Sequence, residues 1–562
     1  MKKLLLLGLL LLATPAARAD LTVTLDLKNG DKVSDVTTIV AHVDSDADID
    51  KVEFQVDNAP VVTATSVPYQ FVWDTLQTTE GAHTLTVTAY DSSQRTKKVS
   101  VSLIVDNGLS VGAGALAKQA HDALTAKDYD TARKYARRAL KADPGDLAAN
   151  RVLAGIAEAN GDLDSAISTL ESAKDLDKSP DAMRELIALR MRRALRIENS
   201  PHFVADFQKA LDLWRRASDL QIEAAKARNK PGADGKVTPQ GHVEIGDALM
   251  NDGRFAEAVA EYSLAIAGDD NPPVERVNRL ALAQIMNGQP EDAIRLLQPL
   301  EVLKKTDAVS RALNALALLR QQHFEEARAQ ILPDDLVAHV PASLIVAAYA
   351  DSVLGKRVVP IANTGKTEDT DRKRREAFSL AKDVVGRMPD MAEAQYALCL
   401  ATNDGAESET ALGQTLSLAP YQSGPILDYA AILAMRGQAI HQEEALQLVD
   451  IVLKSDPENL LAKIEQACLY MQGGRVSDAE PLLSKLMIRH GNAPDVVMVQ
   501  AVYWYIRDNG SLITQNMTAA ARLSPEFFAW VEPKKPAEFL YMLTRGLHYR
   551  EGFFLTPQTL KD

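Results

Sequence analysis

Cysteine is almost missing: in 562 residues only Cys399 and Cys468 occur. Two thiols exclude a small domain stapled by disulfides. Both fall in apolar helical stretches with a whole repeat of the pattern described below between them. That separation exceeds the roughly 7 Å between Cα atoms that a bridge tolerates, so two buried free thiols are expected. Aromatic residues are sparse, at 5%, and the Ala- and Leu-rich remainder suits close-packed helices better than a surface that stacks sugars or bases. After the first nineteen residues there is no apolar run of about 20 residues, so no integral membrane segment is expected in the mature chain. Clustered positive charge is lacking too. The formal net charge is −14, and such a field argues against nucleic acid or an anionic membrane as the main partner.

Catalytic signatures are equally scarce. HExxH, GxSxG and paired CxxC do not occur and the ten histidines are scattered, so no catalytic residue, metal ligand or cofactor is expected and the chain reads as a non-enzyme. Gly365, Lys366 and Thr367 imitate the end of a phosphate-binding loop, but Pro360 stands where its first glycine belongs. A proline there removes a backbone donor and fixes the turn, so no nucleotide site is expected. Asp44, Asp46, Asp48 and Asp50 alternate like calcium ligands, yet the turn glycine is missing and Gln55 occupies the place of the bidentate glutamate. A solvated loop is the expectation.

What is present falls into segments. Lys2 and Lys3, an apolar run from Leu4 to Ala13, and Ala17-Arg18-Ala19 have the layout of a signal peptide over 1–19. The mature chain is then expected to start at Asp20 and to be exported, periplasmic or extracellular. Residues 20–111 carry six basic and fourteen acidic residues and alternate apolar and polar positions in short runs broken by Asn, Asp, Gly and Ser, which predicts a two-sheet sandwich. Within them VEFQVDNAPV, PYQFVWDT and EGAHTLTVTAYD follow one another. The segment resembles the bacterial immunoglobulin-like modules of exported proteins, which implies a spacer or adhesion module. Tyr69, Phe71 and Trp73 alternate along one strand and are expected in its core.

From Ala115 the period changes to 3.6 and one pattern recurs. Ala120 with Ala132, Ala154 with Ala166, Gly246 with Ala258 and Ala467 with Ala479 mark close helix approaches. Pro144, Pro389, Pro420 and Pro457 mark helix ends, and Ala258, Ala293 and Ala327 sit one repeat apart. The pattern resembles the tetratricopeptide repeat family, whose unit is a helix-turn-helix. It implies an all-α superhelical solenoid of about nine repeats behind the all-β sandwich. The expected layout is 112–230 with irregular long helices, a linker at 231–240, an array over 241–525 with an insertion near 356–372, and a C-terminal cap at 526–562.

The resemblance also implies a function: a scaffold that binds a peptide or protein on the concave face. Carried over position by position, it places groove residues at His121, Arg151, Glu158, Asp247, Met250, Asn251, Asn278, Met286 and Arg320. This mixed, Met-bearing set suits an extended peptide or a partner helix. The alternative is an envelope or exopolysaccharide accessory protein that holds an anionic glycan on a basic stripe: Arg133, Lys134, Arg137, Arg138, Arg190, Arg192, Arg193, Arg196, Arg215 and Arg216.

Overall fold

Alternation at period two produces strands wherever one face is buried and the other is wet. In the computed structural model these are β1 (Thr22–Leu25), β2 (Lys32–Val33), β3 (Val36–Asp44), β4 (Ile49–Val56), β5 (Ala59–Ala64), β6 (Gln70–Asp74), β7 (Gly81–Asp91) and β8 (Thr96–Val105). The residues described are 20–195, 203–232, 235–355, 365–436, 438–523 and 552–560. The 1–19 leader, Arg196 and the 526–551 part of the tail lie outside them. The strands form a three-stranded sheet ordered β1-β3-β6 and a five-stranded sheet ordered β2-β8-β7-β4-β5, with β2 and β8 parallel. Between the sheets lie Phe54, Phe71, Trp73, Leu85, Val87 and Leu103, all buried. Phe71 stacks on Trp73 and tilts against Phe54 at 6.0 Å, so two of the three alternating aromatics are core and Tyr69 packs at its margin. Asp46 pairs with Arg95, which also grips the buried Asp91 at 2.8 Å.

Two compact units divide the chain, 1–174 and 175–562. The first holds the sandwich and four helices: α1 (Ala113–Thr125), α2 (Tyr129–Ala142), α3 (Leu147–Ala159) and α4 (Leu163–Glu171). Asp128, Asp146 and Asp162 cap the last three through N–H groups of the first turn. Ala120 and Ala132 meet at zero exposure, as the spacing requires. The sandwich is fixed to α2 by charge. Arg138 forks onto Asp35, Lys134 reaches the same carboxylate at 3.0 Å, and Arg137 pairs with Asp74. Burial alone would raise the Asp35 carboxyl; the Arg138 and Lys134 hydrogen bonds outweigh it and hold it below the usual range.

The second unit opens with α5 (Pro180–Ala194) and α6 (Phe203–Arg228), then runs through α7 (Pro239–Met250), α8 (Phe255–Ile266), α9 (Val274–Met286), α10 (Pro290–Val302), α11 (Ala308–Arg320), α12 (Phe324–Gln330) and the single turn α13 (Pro333–Val337). It continues with α14 (Pro341–Gly355), α15 (Gly365–Arg387), α16 (Ala392–Ala401), α17 (Gly405–Leu418), α18 (Ser423–Met435), α19 (Ala439–Ser455), α20 (Leu460–Gln472), α21 (Val476–His490), α22 (Pro494–Ile506) and α23 (Gly510–Leu523). Helices α2, α15, α17 and α19 end just before Pro144, Pro389, Pro420 and Pro457. The described helices pair into eleven hairpins, two more than the sequence pattern suggested, and first helices of neighbouring hairpins stack where α1 meets α3, α9 meets α11, α11 meets α14, α14 meets α16, α18 meets α20 and α20 meets α22.

Two features depart from the sequence pattern. The expected insertion near 356–372 is in part helix, because α15 already begins at Gly365. The irregular long helices expected before 230 are α5 and α6, tied by a buried ionic clamp in which Arg190 and Arg193 both donate to Asp206 at 2.7 Å. Within this unit the stack curls until its beginning meets its far side: α5 packs on α17 and α6 on α19. Phe203 tilts against Tyr429 at 5.0 Å and Trp214 stacks on Tyr421 at 5.1 Å across that seam.

Candidate partner-binding groove

Curling turns the inner face of the second unit into an enclosed groove. Two of the helices that line it are buried on every side, since they lie between the outer helices and whatever fills the middle. All fifteen residues of α14 and all ten of α16 are buried. The filling is the chain's own end. Residues 552–556 have no regular secondary structure and lead into a short 3-10 turn at Pro557–Leu560 that rests on α9 and α14.

The seat of this segment is built from five helices, α9, α11, α14, α16 and α18. Arg320, last residue of α11, donates from Nη2 to the Phe553 carbonyl at 2.5 Å, and the same nitrogen lies 3.9 Å from the Met286 sulfur. Tyr349 of α14 stacks on Phe553 with ring centroids 4.6 Å apart. Its hydroxyl lies 3.2 Å from the Glu393 carbonyl and 3.4 Å from that of Phe554, and its one proton serves either. Phe554 leans on Tyr396 of α16 at 5.7 Å. On α18, Gly424 lets the backbone pass close, since a Cβ there would stand 2.7 Å from the Gly552 Cα. Phe553, Phe554 and Leu555 are at most 1% exposed, and burying three such side chains contributes roughly 5 kcal/mol or more.

Two carboxyls in this region carry shifted protonation. Burial raises the Glu393 carboxyl above its usual range, partly offset by hydrogen bonds from the Thr556 hydroxyl and backbone. Its Oε1 accepts nothing among the described residues. Beside the segment lies a cavity of about 840 Å³ bordered by Trp214, Asp252, Arg320, Tyr421 and Phe554. At its wall burial pushes Asp252 up to about 6; the Ser218 hydroxyl opposes the shift, Asp219 adds to it, and Arg254 and Arg215 oppose it. Among the described residues no cluster of His, Cys, Asp and Glu has the arrangement of a metal site. Both cysteines are buried and free, Cys399 in α16 and Cys468 in α20.

The nine groove positions read from the sequence divide sharply. Arg320 touches the seated segment, and Met286 lies beside the Arg320 guanidinium on the wall of the adjoining cavity. Asp247 binds sideways instead, accepting from the Tyr262 hydroxyl at 2.6 Å and from Arg279 at 3.0 Å. Met250, at 1% exposure, is core, and Asn278, at 2%, bridges to Asp307 and Ser310 at the start of α11. Asn251 closes the end of α7. In the first unit His121 is exposed on α1, while Arg151 and Glu158 are half-buried on α3. Sequence reasoning missed Tyr349, Tyr396, Glu393 and Gly424. The sequence reading assigns the segment that meets them, GFFL at 552–555, to a C-terminal cap and not to the groove. The basic stripe is largely spent: Arg137, Arg138, Arg190 and Arg193 are all paired with carboxylates.

The chain thus combines a sandwich with a helix-turn-helix array that carries small residues at its crossings. Residues 117–182 match the tetratricopeptide repeat. Residues 22–87 match the bacterial Ig domain. The tetratricopeptide match thus spans α1 to the start of α5, and the geometry of the later hairpins follows the same rule of paired helices. No curated protein matches the sequence. Among solved structures, the fibronectin(III)-like modules of Clostridium thermocellum CbhA share 25% identity, over 15% of this chain and 94% of that one, with a TM-score of 0.14. The human IFIT1 dimer with m7Gppp-AAAA shares 12%, over 74% of this chain and 90% of that one, with a TM-score of 0.32. Naa15/Naa10 bound to HypK-THB shares 14%, over 74% and 64%, with a TM-score of 0.24. Among the described residues no helix is long and apolar enough to cross a membrane.

Proposed function

We propose that this protein is an exported, non-enzymatic scaffold that holds a peptide or protein segment in the groove of its second unit, with the sandwich as spacer or second contact. The observation that carries this reading is the seat itself. Arg320 and Tyr349 address backbone carbonyls, and Tyr349 and Tyr396 offer ring faces, which together are the means of gripping an extended chain. Export rests on the layout of residues 1–19 and on the kinship of the sandwich with bacterial Ig modules. The glycan alternative draws on a stripe that has little free charge, since four of its arginines already serve internal carboxylates.

Affinity capture from envelope extract with the full chain, beside a Met286→Asp/Arg320→Ala variant, tests the reading. One protein enriched by the wild type and lost with the variant is the expected result. No enrichment, or equal enrichment by both, contradicts it.

A further inference from the structure

We infer that residues 552–560 are a resident competitor in the groove, and that the partner it admits carries an extended segment with two adjacent aromatic residues of the same kind. This rests on the groove reading above and names its ligand class and its regulation.

Three observations support it. First, the segment is held as a ligand is held. Its polar ties to the walls run through its carbonyls and Thr556, and Phe553 and Phe554 enter separate ring contacts with Tyr349 and Tyr396. A carbonyl contact is indifferent to sequence, so selection falls to the aromatic pair. Second, the fit is incomplete. Glu393 Oε1 stays unpaired beside Thr556, and an acceptor buried without a donor favours any segment that supplies one. Third, the cavity of about 840 Å³ touches Gly552 and Phe554, so the seat adjoins open space by which another chain can reach it. A segment tethered to its own site lowers the apparent affinity of a competitor by its effective concentration. The wild type is therefore the closed form, and a partner opens it by displacing the aromatic pair.

The test uses the full chain with Phe553→Ala/Phe554→Ala, which weakens the resident segment and leaves the seat intact. The probe is a fluorescent peptide with the sequence of residues 552–560. The variant is expected to bind the probe at least about tenfold more tightly than the wild type. Adding Arg320→Ala should remove that gain, and a probe with both phenylalanines changed to alanine should not bind. Loss of the variant's helical signal, or a flat titration with the fold intact, overturns the proposal.

Gly424→Ala gives an independent check, since one methyl strikes the Gly552 backbone from a position where a helix tolerates alanine. Hydrogen exchange of 552–560 should then accelerate while α14 and α16 keep their protection. Joint loss of protection would show the segment to be ordinary core and overturn the inference. Failure of the groove reading looks different. If the scaffold holds its partner on another face, envelope capture survives the Met286→Asp/Arg320→Ala change while the peptide titration stays flat.

Discussion

Gly246 shows how much a single missing carbon matters. A Cβ at that position would stand 2.5 Å from the Tyr262 ring, and the ring cannot yield because its hydroxyl is tied to Asp247 at 2.6 Å and the residue is 1% exposed. Gly246→Ala should therefore cost about 1–3 kcal/mol, read as a shift of the denaturation midpoint. The pair Gly246 and Ala258 was legible in the sequence; the tyrosine that enforces it was not, because residue spacing does not reveal which ring fills a crossing. Asp252 offers a pH test. Burial pushes its folded carboxyl up to about 6, above the ordinary aspartate value near 3.8, so the folded state binds the proton more tightly. Stability then falls as pH rises from about 4 to about 6 and stays reduced above. Asp252→Asn should raise stability at pH 7.5 by about 1 kcal/mol, allowing for solvent screening of a half-buried group, and change little at pH 4. Urea denaturation at the two pH values decides it, and an equal effect at both would refute the assignment.

At the scale of the element, the charges read as a surface stripe turn out to join helices. Arg190 and Asp206 are each 3% exposed in their side chains and tie α5 to α6 together with Arg193. Asp206→Ala removes the carboxylate from a buried guanidinium and should cost about 3–5 kcal/mol. Thermal unfolding of the full chain checks this; a change below 1 kcal/mol would contradict the clamp. Basic residues at helical spacing look alike whether solvated or paired, since the partner carboxylate lies on another helix. The same limit explains the groove positions. The family pattern placed Met286 and Arg320 in the groove, where Arg320 meets the Phe553 carbonyl, while Met250 is core and Asn278 a bridge to the start of α11, because packing against neighbouring helices takes up those faces. Prolines, by contrast, act locally, so Pro144, Pro389, Pro420 and Pro457 marked their helix ends from sequence alone.

On the scale of the molecule, the two units differ in what their surfaces are used for. In the first, Asp35 and Asp74 spend the sandwich's acidic charge on α2. In the second, the inner face of the stack is covered by an occupant that the chain itself supplies, residues 552–560. A solenoid that hides its inner face behind a displaceable segment avoids exposing a long apolar groove before its partner arrives. The partner is expected to bind in this groove. A photo-crosslinking side chain placed at position 286, in the Phe553→Ala/Phe554→Ala background, compared with one at the 84% exposed Ile488, reports on this. Capture of a partner in envelope extract from position 286 and not from 488 is predicted; capture from 488 alone, or equally from both, would contradict the account.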